Sequence, residues 1–182
     1  SLERVSKSGA KFDYEKGKWF NHQYLQLRSN EELAEQFMPL LDTKLSTSNT
    51  KPSLEIVSKV IGLTKDRVNF VSELWEQVNF FFVAPEEYDE KSLKKRWKED
   101  STKHMTEMLA LLEAHEDWSA EGLDNLIMPW IAEKEYGVGI VMNAFRICLV
   151  GAARGPHIWN ITDVLGKEET LARVRTALEK LG

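Results

Sequence analysis

The chain has 182 residues, of which 42% are apolar and 29% charged, the balance of a soluble globular protein with one ordinary domain or two small ones. Its net charge of −5 argues against a protein that coats nucleic acid non-specifically, because such binding depends on neutralising phosphates. No apolar run approaches the roughly 20 residues of a membrane span. Cys148 is the single cysteine, which excludes an internal disulfide. We therefore expect a cytoplasmic protein that does not contact a membrane.

The first half of the chain carries repeated helix signals. Ser29 followed by Glu32 forms the capping-box pattern that marks a helix N-terminus, and Ser53 begins a second helical pattern. Residues 46–52 between these two patterns are polar and are predicted to form a loop. A third pattern of apolar residues runs through residues 64–82 and predicts one long amphipathic helix.

The second half continues in the same way. Ser101 and Ser119 each precede an apolar stripe with helical spacing, so both are predicted to cap helices. Gly137 is placed to end the second of these helices in a left-handed turn. A last helix is predicted to start near Lys167.

These signals predict an all-α protein, since hardly any stretch alternates with the period of two that is typical of strands. Pro85 interrupts the apolar run before it and coincides with a change in charge. Residues 1–85 carry 11 basic and 11 acidic side chains, whereas residues 86–182 carry 13 and 18. We therefore predict two small helical domains in tandem, with the boundary between residues 84 and 85.

The residue inventory gives little support to an enzyme. The histidines have no metal-binding spacing on a helix, no glycine-rich phosphate loop follows a strand, and Cys148 lies in an apolar run that indicates a buried, inert thiol. We predict no catalytic residue and no metal ligand.

One basic loop has the character of a binding site. Arg146 ends an apolar helix, and residues 151–156 (Gly-Ala-Ala-Arg-Gly-Pro) follow. Arg146 and Arg154 offer planar hydrogen-bond donors, glycines allow close approach of the backbone, and Ile158 or Trp159 offers a surface for an unstacked base. The alternative interpretation is a helix–loop–helix corner whose aromatic residue lies in the core.

Two groups of motifs carry a resemblance to a known family. Phe12-Asp13 leads into a segment with Trp19, Asn21 and Tyr24, and residues 145–151 are followed by Gly155-Pro156 and by the Leu-Gly-Lys-Glu run at 165–168. In this order and spacing they resemble the C-terminal, anticodon-binding region of bacterial glutamate–tRNA ligases. The resemblance implies that residues 1–11, which include Val5-Ser6-Lys7-Ser8, form a connector rather than an ATP loop. The domains would then span residues 12–84 and 85–182.

The resemblance also implies the function. Two helical domains would grip the anticodon loop of glutamate tRNA, with Arg67 at the third base, a cytosine. The other implied site residues lie in or beside the basic loop: Arg146, Arg154, Gly155, Pro156, His157, Ile158 and Trp159. Trp19, Asn21 and Tyr24 are expected to be packing or helix-junction residues.

The parent enzyme would attach glutamate to tRNA with ATP and magnesium, through upstream catalytic and stem-contact domains. The fragment itself is predicted to be non-catalytic, monomeric and without a cofactor. The alternative is a helical protein-interaction module of the same ancestry that has lost tRNA binding, which the acidic isoelectric point of about 5.5 favours.

Overall fold

The computed structural model describes residues 14–47 and 51–182, and within these ranges the chain is helical with no strand, which confirms the all-α prediction. The predicted connector (residues 1–11, including residues 5–8), the Phe12-Asp13 motif and part of the predicted loop at residues 46–52 lie outside the described residues. The α-helices of the described ranges are α1 Tyr14–Leu27, α2 Asn30–Lys44, α3 Leu54–Gly62, α4 Leu74–Phe82, α5 Glu90–Arg96, α6 Ser101–Ala114, α7 Ala120–Glu133, α8 Val138–Val150 and α9 Ile158–Leu181.

Three predicted helix starts are confirmed. The Ser29 hydroxyl accepts from the Glu32 N–H at 3.1 Å, and the Glu32 carboxylate accepts from the Ser29 N–H at 3.3 Å, which completes the capping box. Ser53 caps α3 and Ser119 caps α7 through the same kind of bond to an N–H three residues on. These starts were predictable because each depends on side chains within one turn of the cap.

The predicted long helix at residues 64–82 is wrong. Two short 3₁₀ turns, Lys65–Arg67 and Val71–Glu73, precede α4, and the backbone is extended at Val68 and Phe70. The Glu73 carboxylate accepts from the Asn69 and Phe70 N–H groups at 2.8 and 3.3 Å, so these donors are satisfied without a helix. Side chains of α1 bond the carbonyls of the same segment, and these distant partners leave no trace in the apolar periodicity.

The cap predicted at Ser101 is also wrong. Ser101 is the first residue of α6, and the cap position belongs to Asp100, whose side chain makes no capping hydrogen bond. The Ser101 hydroxyl is buried and accepts from the Lys98 N–H at 2.8 Å, so it holds the preceding turn instead of the helix end.

The left-handed turn predicted at Gly137 lies two residues earlier. Glu135 has φ 56°, whereas Gly137 has φ −72° and precedes α8. The Glu135 N–H donates to the Ala132 carbonyl at 3.1 Å and the Tyr136 N–H to the Ile131 carbonyl at 3.0 Å. This pair of bonds is a Schellman motif, which here forms around a residue other than glycine.

Helix α9 contains a break that agrees with the predicted start of the last helix near Lys167. Gly166 has φ 77° and ψ 173°, values outside the helical region, so the helical run is interrupted one residue before Lys167.

One hydrophobic cluster extends through both predicted domains, with the fully buried Val141, Ala144, Phe145 and Cys148 of α8 among its members. Burial raises the pKa of the Cys148 thiol to about 12, as expected for an inert residue.

The boundary between residues 84 and 85 stays a prediction. None of the described helices combines the length and the apolar composition of a membrane span.

Candidate nucleic-acid interface

The basic loop between α8 and α9 begins at a glycine that the geometry requires. Gly151 has φ 79°, and its N–H donates to the Ile147 carbonyl at 2.8 Å. A Cβ atom on Gly151 would lie 2.8 Å from Pro85 Cβ and 2.9 Å from the Glu87 carbonyl oxygen. Both the left-handed backbone and the lack of space therefore exclude a side chain here.

The short helix α5 supports the loop from one side. The Asp89 N–H donates to the Gly151 carbonyl at 2.8 Å, and the Ala153 N–H donates to the Ser92 hydroxyl at 3.0 Å. The Asp89 carboxylate in turn accepts from the Ser92 N–H at 2.7 Å, and its hydrogen bonds with Ser92 lower the pKa of Asp89. The loop is thus held by backbone hydrogen bonds at two of its residues.

Arg146 and Arg67 are coupled through their charges. Arg146 Nη1 donates to the Pro156 carbonyl at 2.6 Å and approaches the Arg154 carbonyl at 3.4 Å. Burial lowers the pKa of Arg146, and the positive charge of Arg67 lowers it further, so the two guanidinium groups are close enough to repel each other. Arg67 Nε lies 4.0 Å from Asp66 Oδ1, and the Asp66 side chain is 73% exposed. This exposed pair compensates the charge of Arg67 only weakly.

Arg154 leaves the loop in the direction of α4. Its Nη1 donates to the Glu76 carbonyl at 2.6 Å and its Nη2 to Asn79 Oδ1 at 3.3 Å, while the guanidinium carbon lies 5.6 Å from the centre of the Phe80 ring. Arg154 therefore joins the second half of the chain to α4, and its side chain remains exposed at this junction.

The five residues that follow Arg154 divide into surface and core. Gly155 has φ 110°, and a Cβ atom there would lie 3.3 Å from Phe80 Cζ and 3.5 Å from Arg146 Nη1. Pro156 is buried, and His157 is exposed directly before α9. Ile158 and Trp159 are each 3% exposed, and Trp159 Nε1 donates to Asp124 Oδ1 at 2.8 Å. The structure thus places the side chains of Ile158 and Trp159 in the core, as the helix–loop–helix alternative expects, and not on a surface open to a base.

The α1 residues named by the resemblance behave differently from one another. Asn21 donates to the Asn69 carbonyl, and His22 Nδ1 lies 2.9 Å from the Val68 carbonyl, so this part of α1 does form a junction with the segment around Arg67. Trp19 is 57% exposed and Tyr24 49% exposed, so neither lies in the interior, and their role as packing or helix-junction residues stays a prediction.

Three residues near the interface were missed at the sequence level. Trp75 and Asn79 lie one turn apart on α4 beside Arg154, and Trp75 was assigned to the apolar stripe of the long helix. Arg173 is 4% exposed and donates to the Phe80 carbonyl at 2.5 Å and to the Leu149 carbonyl at 2.7 Å. Its position between Leu171 and Val174 in an apolar stripe was the available signal of a buried cation.

The fold and the loop define an all-α protein in which a basic loop of the second half bonds α4 of the first half, with the charge of Arg67 acting on Arg146. The family model described as "Anticodon binding domain" matches residues 32–178. The chain therefore belongs to the anticodon-binding domain family, and the resemblance found in the sequence is confirmed at this level.

Relatives of known name agree with this family. The chain is 56% identical over 180 residues to the glutamate–tRNA ligase of Bacteroides thetaiotaomicron and 51% identical over 181 residues to that of Porphyromonas gingivalis. The two matches cover 99% and 100% of this chain, and each covers 35% of the relative. The crystal structure of a glutamate tRNA ligase from Elizabethkingia meningosepticum in complex with its amino acid superposes with a TM-score of 0.82 at 39% identity, over 97% of this chain and 34% of that one. The chain thus spans about a third of the length of the relatives it matches.

Proposed function

We propose that the chain reads the anticodon loop of glutamate tRNA as the anticodon-binding part of a glutamate–tRNA ligase. The family and the names of the relatives support this proposal. The observation that carries it is the Arg146 guanidinium held against the backbone of the Arg154 loop, with the positive charge of Arg67 near enough to act on it.

Two guanidinium groups that repel each other make a surface that favours an electron-rich ligand. Arginine only donates hydrogen bonds, and cytosine presents O2 and N3 as acceptors, so a flipped-out base of this kind satisfies the donors. Arg67 is the residue that we assign to the third anticodon base. Its neighbours α1 and Glu73 hold its segment through side-chain hydrogen bonds.

Arg146 and the loop would contact the other two anticodon bases. The missing side chain of Gly155 leaves room for Phe80 and the Arg146 guanidinium, and the exposed His157 lies in the same loop. Pro156, Ile158 and Trp159 are buried, so in this proposal they form the floor that fixes the loop.

The chemistry of the parent enzyme belongs to the part of the relatives that this chain does not cover. Within residues 14–47 and 51–182, no group of three His, Cys, Asp or Glu side chains is arranged to hold a metal ion. ATP and magnesium would bind the upstream catalytic part, and this chain would supply tRNA contacts alone. We expect the parent to act in the cytoplasm as a monomer, with the upstream domains as the partners of this chain.

The test is fluorescence-anisotropy binding of a glutamate anticodon stem-loop, at one fixed low salt concentration, beside a stem-loop with its third anticodon base changed. We expect the native chain to prefer the cytosine loop, because a charged contact to a base edge discriminates by about 1–3 kcal/mol. Arg67→Gln should abolish the preference. Arg175→Gln is the matched control, since Arg175 is also an exposed arginine but pairs with Glu113 at 2.6 Å. Equal binding of both loops by the native chain would refute the assignment of Arg67.

The second candidate function is a protein-interaction module. It is favoured by exposed apolar side chains on α1, where Trp19, Phe20 and Leu27 are 57%, 65% and 88% exposed. If neither stem-loop binds, the proposal of anticodon reading by this chain fails and this second function takes its place.

A further inference from the structure

A cleft beside Arg154 belongs to none of the positions assigned so far. It has a volume of about 270 Å³ and lies between α4, the segment that follows it and the end of α8. Trp75 and Asn79, one turn apart on α4, line it together with Val83, the extended residue that follows the helix. Phe80 also lines the cleft, and the centre of its ring lies 5.6 Å from the guanidinium carbon of Arg154. Arg154 donates to the Glu76 carbonyl and to Asn79 Oδ1 on the same helix, so the cleft adjoins the basic loop through Asn79.

We propose that this cleft binds one unstacked base of the RNA held by Arg67 and Arg146, with the base stacked on the Trp75 indole. The inference rests on the proposed function and extends it by a further base-binding position. The cleft is smaller than the roughly 300–1,000 Å³ pockets that enclose whole ligands, and this size suits a single base. Tryptophan is half-buried here, which leaves part of its ring available to the base while the rest fixes its orientation.

Asn79 gives the cleft a directed hydrogen-bond donor. The Arg154 guanidinium can only donate, and therefore the amide atom that faces it at 3.3 Å must be Oδ1. Asn79 Nδ2 is consequently directed away from Arg154, on a residue that lines the cleft. An amide donor in this position suits the carbonyl oxygen or ring nitrogen of a base.

The charges around the cleft favour a nucleotide over an apolar side chain of another protein. Lys44 Nζ lies 5.8 Å from the centre of the Trp75 ring, and Arg154 lies at the other side of Asn79. These cations can meet the phosphates on either side of an inserted base. Glu87 also lines the cleft, and its carboxylate can accept from the amino group of a base such as cytosine or adenine.

The experiment measures binding of the glutamate anticodon stem-loop to the 182-residue chain and to three variants. Trp75→Leu removes the stacking surface, and we expect about tenfold weaker binding, because the base loses the aromatic face on which it stacks. Trp75→Phe keeps an aromatic ring and should bind within about threefold of the native chain. Trp118→Leu is the control, since Trp118 is half-buried and has Lys167 Nζ at 5.8 Å from its ring. This control should leave binding unchanged.

A fourth variant, Ala84→Leu, tests the cleft independently of Trp75→Leu, whose weaker binding could also result from loss of folding. Ala84 is exposed and lines the cleft, so Ala84→Leu should fill it without disturbing the core and should weaken binding as Trp75→Leu does. In parallel, 2-aminopurine placed at successive loop positions should be quenched at one position by the native chain and not by Trp75→Leu. Native affinity in both Trp75→Leu and Ala84→Leu would overturn the inference and leave anticodon reading intact. Absence of stem-loop binding by the native chain would overturn both proposals together.

Discussion

The two segments that bring arginines to the proposed interface are built in different ways. The segment at residues 63–73, which carries Arg67, contains two 3₁₀ turns and extended residues, and it is attached to α1 through side-chain hydrogen bonds. The loop at residues 151–157 lies between the buried ends of α8 and α9, and its backbone is held by the Asp89 N–H and the Ser92 hydroxyl. The first segment depends on partly buried side-chain hydrogen bonds, and the second on the core.

This difference indicates that the loop side of the interface is formed before binding and that the Arg67 side can adjust. Local opening has a low free-energy cost where few apolar contacts must break, and it has a high cost where a buried framework must move. Between Lys65 and Glu73 only Val68 is a buried hydrophobic residue, and Leu74 follows as a buried flank. Within the loop Gly151 and Pro156 are buried, and Val150, Ile158 and Trp159 are buried flanks. We therefore expect the loop to set the position of the RNA and the Arg67 segment to close on it.

The largest effect is expected at Arg173, a buried residue of α9 that bonds carbonyls of α4 and of α8, the helix that leads into the loop. Its guanidinium satisfies carbonyls at the C-terminal ends of α4 and α8, where helices leave acceptors unpaired, and a cation is also favoured there by the helix dipoles. Arg173→Met would leave the Phe80 and Leu149 carbonyls buried without a donor. We expect the free energy of unfolding to fall by about 4 kcal/mol, measured by urea denaturation.

Arg175 on the same helix is the matched control for Arg173. It is 51% exposed and pairs with Glu113, so Arg175→Met should cost less than about 1 kcal/mol. Similar losses in the two variants would mean that the buried guanidinium contributes no more than a surface ion pair, and the contrast between the loop and the Arg67 segment would weaken.

A smaller effect is expected at Gly151, within the loop itself. Gly151→Ala places a Cβ atom 2.8 Å from Pro85 Cβ and 2.9 Å from the Glu87 carbonyl oxygen, on a backbone with φ 79°. The strain and the overlap should lower the free energy of unfolding by about 3 kcal/mol. Gly139→Ala is the control, because a Cβ atom at this position in α8 meets nothing within 4 Å. We expect it to stabilise the chain by up to about 1 kcal/mol, and a destabilised Gly139→Ala would show that the α8 backbone, not the Gly151 geometry, is sensitive.

The sequence predicted the features that depend on neighbouring residues. The caps at Ser29, Ser53 and Ser119 need only a residue three positions on, and the break before Lys167 needs only Gly166. The same locality made the basic loop visible, because its glycines and arginines are adjacent in the chain.

The features that were missed depend on partners far along the chain. The long helix predicted at residues 64–82 fails because α1 side chains, about 40 to 50 positions earlier, bond the carbonyls of Lys65, Val68 and Asn69. Arg173 reaches a carbonyl 93 positions away, and Arg154 one that is 78 positions away. Apolar periodicity records which face is buried, but it does not record which distant acceptor a polar side chain meets.

The smallest effect is expected at Glu73, and it tests the adjustable side of the interface directly. The Glu73 carboxylate accepts from the Asn69 and Phe70 N–H groups, and Glu73→Ala removes both bonds from a partly exposed site. We expect a loss of about 1 kcal/mol in the free energy of unfolding and faster hydrogen exchange at these two amides. Glu76→Ala is the control, since Glu76 is an exposed glutamate in the first turn of α4. Its hydrogen bond from Arg154 is accepted by the backbone carbonyl, which the substitution keeps.

Exchange at the loop decides how the Glu73 result is interpreted. If the two segments are independent, the amides of residues 151–157 keep their native exchange rates in Glu73→Ala, while the preference for the third base weakens because Arg67 is less well held. If the loop amides also exchange faster, the two segments open as one cooperative unit. The interface would then form as a whole, and the distinction between a preformed loop and an adjustable Arg67 segment would be wrong.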